Sequence, residues 1–269
     1  PILVTALGAG LGVLVYFGTG QYFVEGDNSF VAKLVNASPT NPTVQSFYGI
    51  WDNGNQVTRS DLVAQTIIAE QAVGEFNIRI TSDNAVTYTG GSPKKGWYLD
   101  LVKPSSTIGG VATAQGERVV AVPVLRPGNR IVFTTLIPSL SPCDFGGTSW
   151  LMELEATTGK RLTNTFDLNG DWEVNSQDMQ TITLPTGGPN GGPLTVTVAA
   201  SGKQSEVGII KTPGIIPSPG GGIEYKYTSG TKKCNPTVDD CPETVKGSLE
   251  VTAEDYGAEI GRQSWRQLR

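Results

Sequence analysis

Between Phe166 and Asp178 the chain reads FDLNGDWEVNSQD, with oxygen-bearing side chains at Asp167, Asn169, Asp171, Asn175 and Asp178. Counted from Asp167 these are positions 1, 3, 5, 9 and 12 of a single loop. Glu173, at position 7, would contribute its main-chain carbonyl. On a tightly curled segment alternate residues point inward, so carboxylate, amide and carbonyl oxygens can surround one hard cation. The set suits Ca²⁺, which tolerates irregular coordination, better than Mg²⁺, which demands a near-octahedral shell.

The ligand order is that of EF-hand loops, with two departures. Trp172 stands at position 6, where a left-handed turn favours glycine, and position 12 is the shorter Asp178 in place of Glu. No amphipathic helix leads in; the strand-like KRLTNTF, Lys160 to Phe166, does. The spacing therefore predicts a lone loop between strands, not a helix–loop–helix sensor. The alternative is an Asx-rich turn whose carboxylates stay in water.

Elsewhere the chemistry is sparse. The 269 residues contain no His, which removes the usual general base near neutral pH and argues against a catalytic zinc. Cys234 and Cys241 bracket NPTVDD, a spacing that suits a local disulfide in an exported protein, with two inert thiols as the alternative; Cys143 has no evident partner. Gly8, Gly10 and Gly12 form G-x-G-x-G ahead of a β-branched run, which reads as a turn before a strand and not as a dinucleotide loop. Glu153 and Glu155 share one face of a strand, read as its wet side. Asn36-Ala37-Ser38 is a formal glycosylation sequon, and there is no RGD tripeptide. The net charge of -5, with no basic block, excludes nucleic acid as a partner class.

The elements that must hold the loop are β-strands. With 34 Gly and 17 Pro, and Thr, Val and Ile throughout, the composition predicts short strands joined by many turns. Expected strands include Leu11–Phe23, Val44–Asp52 ending in the turn signal Asp52-Asn53-Gly54, GEFNIRI, GWYLDL, and a hairpin over Gly116–Pro138 about Arg126-Pro127-Gly128. Phe47, Tyr48 and Trp51 are expected to anchor a sheet core. Arg59–Ala72 is expected to hold a short helix capped by Ser60. TSWLMELEATTGKRL reads as strand, tight turn and strand. Further strands are expected at Leu194–Ala200, in SEVGIIKTPGII, in IEYKYTSG and at Gly247–Val251, before a tail in which Trp265 and Leu268 seal a core. No stretch reaches membrane-spanning length, Pro1–Phe17 lacks the basic flank of a signal peptide, and the abrupt PILVTALG start suggests a piece of something longer.

Five motifs in order, QSFYGIWDNG, TTLIPSLSPCDFGGTSWLMELEATTG, FDLNGD, VGIIKTP and GRQSWRQL, together resemble the C-terminal domain of the PilY family, the tip-associated adhesins and assembly factors of type IV pili in Gram-negative bacteria. The resemblance spans nearly the whole chain. It implies a modified seven-bladed β-propeller, related in blade pattern to quinoprotein propellers, after a variable region that can resemble a von Willebrand A domain. It also implies a calcium loop using Asp167, Asn169, Asp171 and the Glu173 carbonyl. The last ligand falls at Asn175, where the family carries Asp, while the twelve-residue spacing offers Asp178; both stay open. Seven blades need about twenty-eight strands, against roughly a dozen to sixteen read here, so residues 1–269 are expected to form a single all-β domain or the C-terminal blades of a propeller.

The resulting expectation is a non-enzymatic, calcium-binding module of pilus biogenesis and adhesion, exported to the pilus tip, outer membrane or cell surface. Expected partners are minor pilins or the tip complex, a host or abiotic surface, and the preceding part of the same protein. The competing classes are a quinoprotein-like propeller enzyme and a calcium-assisted glycan-binding β module using Trp51, Trp97 or Trp172.

Overall fold

The computed structural model describes residues 2–6, 12–23, 26–28, 44–105, 111–139, 141, 145–184, 192–219, 221–234 and 245–255. Within them the chain is built of twenty β-strands and short 3₁₀ turns. No helix among the described residues is long and apolar enough to cross a membrane.

Three sheets carry the architecture. The first runs β1 (Ile2–Ala6), β2 (Val13–Gly18), β3 (Ser46–Asp52), β7 (Gly96–Asp100) and β4 (Val63–Gln65), all antiparallel except the β7–β4 pair. The second runs β10 (Val124–Arg126), β11 (Arg130–Thr134), β14 (Trp150–Glu155), β17 (Gly202–Gln204), β6 (Phe76–Thr81) and β5 (Ile67–Val73). The third consists of β18 (Gly214–Pro217), β19 (Ile223–Cys234) and β20 (Val245–Asp255). Two-stranded ribbons join β8 (Val102–Lys103) to β9 (Thr113–Ala114), β12 (Ile137–Pro138) to β13 (Gly147–Thr148), and β15 (Gln180–Leu184) to β16 (Leu194–Val198).

The second sheet is the middle layer. Ile131, Phe133, Trp150, Met152 and Leu154 face the first sheet and pack with Leu14, Tyr16, Phe47, Trp97 and Leu99. Val132, Leu151, Ile78 and Ile80 face the other way, against Phe166, Leu168, Ile182 and Val207. At the first interface Phe47 and Phe133 stack with ring centroids 3.9 Å apart and planes 2° from parallel. Trp97 Nε1 and the Tyr16 hydroxyl both donate to the Ala156 carbonyl, at 2.9 and 3.1 Å. That clamps the ATTG turn to the first sheet. Gly159 closes the turn at φ +68, and a Cβ there would lie 2.3 Å from the Trp97 ring. Only glycine fits both the conformation and the approach.

Several local expectations need correction. Arg59–Ala72 is not a helix: a single 3₁₀ turn, Arg59–Asp61, leads into β4 and β5. Its N-cap is Thr58, whose amide and hydroxyl donate to Asp61 Oδ2 at 2.8 Å each, in place of Ser60. Val63, Ile67 and Ile68 are β-branched, and pairing with β6 and β7 wins over weak helix propensity. Lys160–Phe166 forms no strand beyond a single bridge from Phe166 to Glu254. Its basic residues instead approach Asp83, Lys160 Nζ at 3.5 Å and Arg161 Nη2 at 3.6 Å. In SEVGIIKTPGII only the end is a strand, with an isolated bridge from Ile210 to Gly230. The hairpin about Arg126-Pro127-Gly128 is present as β10 and β11, with Arg126 opposite Arg130. Phe47 anchors the core, but Tyr48 lies on the outer face, stacked on Phe17 at 5.2 Å. The glycosylation sequon, Gly8, Gly10, Cys143, Cys241 and the tail with Trp265 and Leu268 lie outside the described residues.

Candidate metal loop and a buried charge cluster

The loop from Asp167 to Asp178 is held at both ends by its own carboxylates. Asp167 is buried where the chain joins the edge of the third sheet, its amide donating to the Ala253 carbonyl at 3.0 Å. Its Oδ1 accepts from the Gly170 amide at 2.7 Å and its Oδ2 from the Trp172 amide at 2.9 Å. Asp178, also buried, accepts from the amides of Leu168 at 2.7 Å and Asn175 at 2.8 Å, with a longer bond from Asn169 at 3.3 Å. The far end of the loop is thereby folded back onto its beginning.

Between these ends Asx turns set the curl. Asn169 Oδ1 accepts from the Asp171 amide at 3.0 Å, and Asp171 Oδ1 from the Glu173 amide at 2.8 Å. Asn175 caps the 3₁₀ turn Ser176–Asp178, accepting from the Gln177 amide at 2.8 Å. Trp172 takes the left-handed conformation expected of glycine at its position, at φ +64. The residue is 42% exposed, and its ring packs on Tyr225 with centroids 5.8 Å apart. That contact holds an indole over the third sheet and gives the left-handed turn a partner. Asn169, Asp171 and Glu173 are exposed, and Asn175 is half-buried.

The electrostatics suit a cation. Burial pushes the Asp167 carboxyl above the usual carboxylate range, against the pull of its two amide donors, and the charges of Asp178 and Asp171 add to the rise. Four carboxylates in one short loop, Asp167, Asp171, Glu173 and Asp178, repel one another, and a divalent ion offsets that repulsion. The donors are all oxygen, as a hard cation requires. The loop thus offers the donor type a hard cation takes, but among the described residues no three of its carboxylates lie within 4.8 Å of one another.

A second constellation escaped the sequence. Glu153, expected on a wet strand face, is fully buried beside Glu224 and Glu254. Their carboxylate oxygens lie within 4.8 Å of one another, a spacing at which such a trio can hold a metal ion. The charge seated there in this structure is the Lys226 ammonium, 3.2 Å from Glu153, 2.9 Å from Glu224 and in contact with Glu254. Arg130 pairs with Glu153, and Arg126 reaches Glu224 at 2.5 Å. Three cationic side chains thus face three carboxylates at the junction of the second and third sheets. Glu155, two residues on, is half-buried and accepts from Asn129, Thr157 and Thr158 in the turn that follows it. The one available signal was the alternation Glu224-Tyr225-Lys226-Tyr227, which puts two opposite charges on one strand face.

Of the tryptophans considered for glycan contact, Trp97 is fully buried and Trp51 packs against the core. Trp172 is the exposed one.

No family model matches the chain. It is 28% identical over 286 residues to a type IV pilus biogenesis factor PilY1 homolog of Xylella fastidiosa, covering 99% of this chain and 16% of that protein. A second X. fastidiosa homolog is 29% identical over 274 residues, covering 100% of this chain and 18% of its own length. PilY1 of Pseudomonas aeruginosa PAO1 is 31% identical over 184 residues, covering 62% of this chain and 14% of that protein. The crystal structure of the P. aeruginosa PilY1 C-terminal domain matches with a TM-score of 0.65 at 22% identity, covering 96% of this chain and 44% of that one. The all-β fold is therefore related to that domain, and the resemblance drawn from the five motifs is borne out as homology. The chain spans less than a fifth of the curated relatives it matches.

Proposed function

From its homology to PilY1, we propose that this chain is a calcium-binding, non-enzymatic module of type IV pilus biogenesis and adhesion, displayed at the pilus tip or cell surface. The supporting observation is a match over 99% of the chain to a biogenesis factor, together with an oxygen-rich loop curled by its own carboxylates without flanking helices. In this reading the chain forms the later blades of a propeller, and the preceding part of the same protein, minor pilins and a host or abiotic surface are its partners.

Asp167, Asn169 and Asp171 would hold the ion through side-chain oxygens, Glu173 through its carbonyl, and Asn175 or Asp178 would complete the shell. A bound Ca²⁺ supplies positive charge against the clustered carboxylates. The Asp167 amide meanwhile ties the start of the loop to β20 and Asp178 folds the loop's end back onto that start, so the state of the loop bears directly on the third sheet. The buried glutamates are matched by cations and offer no free acid–base pair, which supports a non-enzymatic role over a quinoprotein-like one.

Pilus display and surface attachment with Asp167→Ala and Asp171→Ala, introduced into the full-length protein, test the proposal. Reduced piliation or adhesion from folded variants is expected. Normal assembly and attachment by both would reject a required calcium role, and a visible quinone absorption in the purified protein would revive the enzymatic alternative.

A further inference from the structure

Away from the loop, a cleft of about 450 Å³ opens between the β12–β13 ribbon and the end of β17. We propose that it binds a neutral saccharide of one or two rings.

Its lining carries the required chemistry. Asn77, Thr148 and Gln204 contribute two amides and a hydroxyl. They are ordered among themselves: Asn77 Nδ2 donates to Gln204 Oε1 at 2.9 Å, and Gln204 Nε2 lies 3.4 Å from Thr148 Oγ1. A row of side chains able both to give and to accept hydrogen bonds matches the paired donor–acceptor character of sugar hydroxyls. Glu206 and Lys232 complete the polar wall with opposite charges. A net-charged ligand would favour one of them and oppose the other, whereas a neutral polyol can bond to both.

Phe145 supplies the apolar side. It stands at φ +50, a conformation rare for a bulky residue, and is 49% exposed at the cleft. Neither core cluster includes it. An open aromatic face beside ordered amides is the pairing that receives the C–H face of a pyranose while its hydroxyls are satisfied laterally. The volume falls within the usual range for small-ligand sites. Burial, reinforced by Glu250, pushes the Glu206 carboxyl above its ordinary range, which widens the pH interval in which it can donate as well as accept.

No residue of the cleft belongs to the 167–178 loop, so the two proposals fail independently. The test is saturation-transfer NMR on the purified chain with methyl glycosides of common hexoses, 6-deoxyhexoses and N-acetylhexosamines, and with maltose and lactose, at millimolar concentration. At least one sugar is expected to bind, weakened about tenfold by Phe145→Ala and also weakened by Gln204→Ala. Phe23→Ala, which removes an exposed ring elsewhere, should leave binding unchanged. Phe145 and Phe23 are exposed, so both variants should keep the fold, as circular dichroism would verify. Silence across the panel, or binding that survives either cleft substitution undiminished, overturns the assignment.

Discussion

Phe166 forms an antiparallel bridge with Glu254, joining the residue before the oxygen-rich loop to a carboxylate of the buried charge cluster. The next amide, that of Asp167, donates to Ala253, and the Asp255 amide donates back to Thr165 at 2.8 Å. The start of the loop is thus fastened to β20 by one bridge and its two flanking amide bonds. Loop and cluster share one stretch of backbone.

Added Ca²⁺ should therefore stabilise more than the loop. Millimolar Ca²⁺ is expected to raise the Tm of chelator-stripped protein, with one site by calorimetry, and Asp167→Ala and Asp171→Ala should abolish the increment. If Asn175 is the last ligand, Asn175→Asp should enlarge the increment; if Asp178 fills that role, Asn175→Asp should leave it unchanged. An identical melt with and without the ion would sink the calcium assignment.

Asp178→Ala should cost stability even without metal. Its carboxylate accepts backbone amides from Leu168, Asn169 and Asn175, and losing it is expected to cost about 2–3 kcal/mol. Urea denaturation in chelator reads the effect, and a change within error would show that the loop does not depend on this clasp.

Lys226→Met should be among the most damaging single changes. It leaves three carboxylates buried together with one counter-charge fewer, at a cost of about 3–5 kcal/mol. A near-wild-type midpoint would mean that the glutamates are protonated or hydrated instead of ion-paired.

Gly159→Ala tests the clamp on the ATTG turn. Left-handed strain and overlap with the Trp97 ring together should cost about 2–4 kcal/mol and shift the indole emission. An unchanged spectrum and Tm would place the ring elsewhere.

Stability should also depend on pH through Glu206. Its folded pKa is raised by burial, reinforced by Glu250, so its contribution is fully present below the ordinary glutamate pKa. That contribution is lost as pH rises through the raised value. Glu206→Gln should flatten this part of the stability–pH profile and gain most at neutral pH. An unaltered profile would show that the carboxyl is solvated in solution.

The loop was legible because its chemistry is local. Asp167, Asn169 and Asp171 set their own turns within a few residues, so spacing alone conveys the geometry. The turn about Arg126-Pro127-Gly128 was legible for the same reason, although the first arm expected from Gly116 is strand only over Val124–Arg126. Glu153 was not: the partner that neutralises it, Lys226, is 73 residues away, and a strand covered on both faces cannot be told from one with a wet side by alternation alone. The helix expected at Arg59–Ala72 failed because pairing with β6 and β7 decides the fate of Ile67 and its neighbours.

The six-membered ion cluster imposes an order on folding. Its carboxylates and cations come from β10, β11, β14, β19 and β20, and without Glu254 of β20 the three cations face two carboxylates in a medium that solvates the excess charge poorly. Half-docked arrangements of the last hairpin are therefore penalised, and the near-complete one is rewarded all at once. The junction works as a checkpoint: the terminal strands seat in register or stay in water.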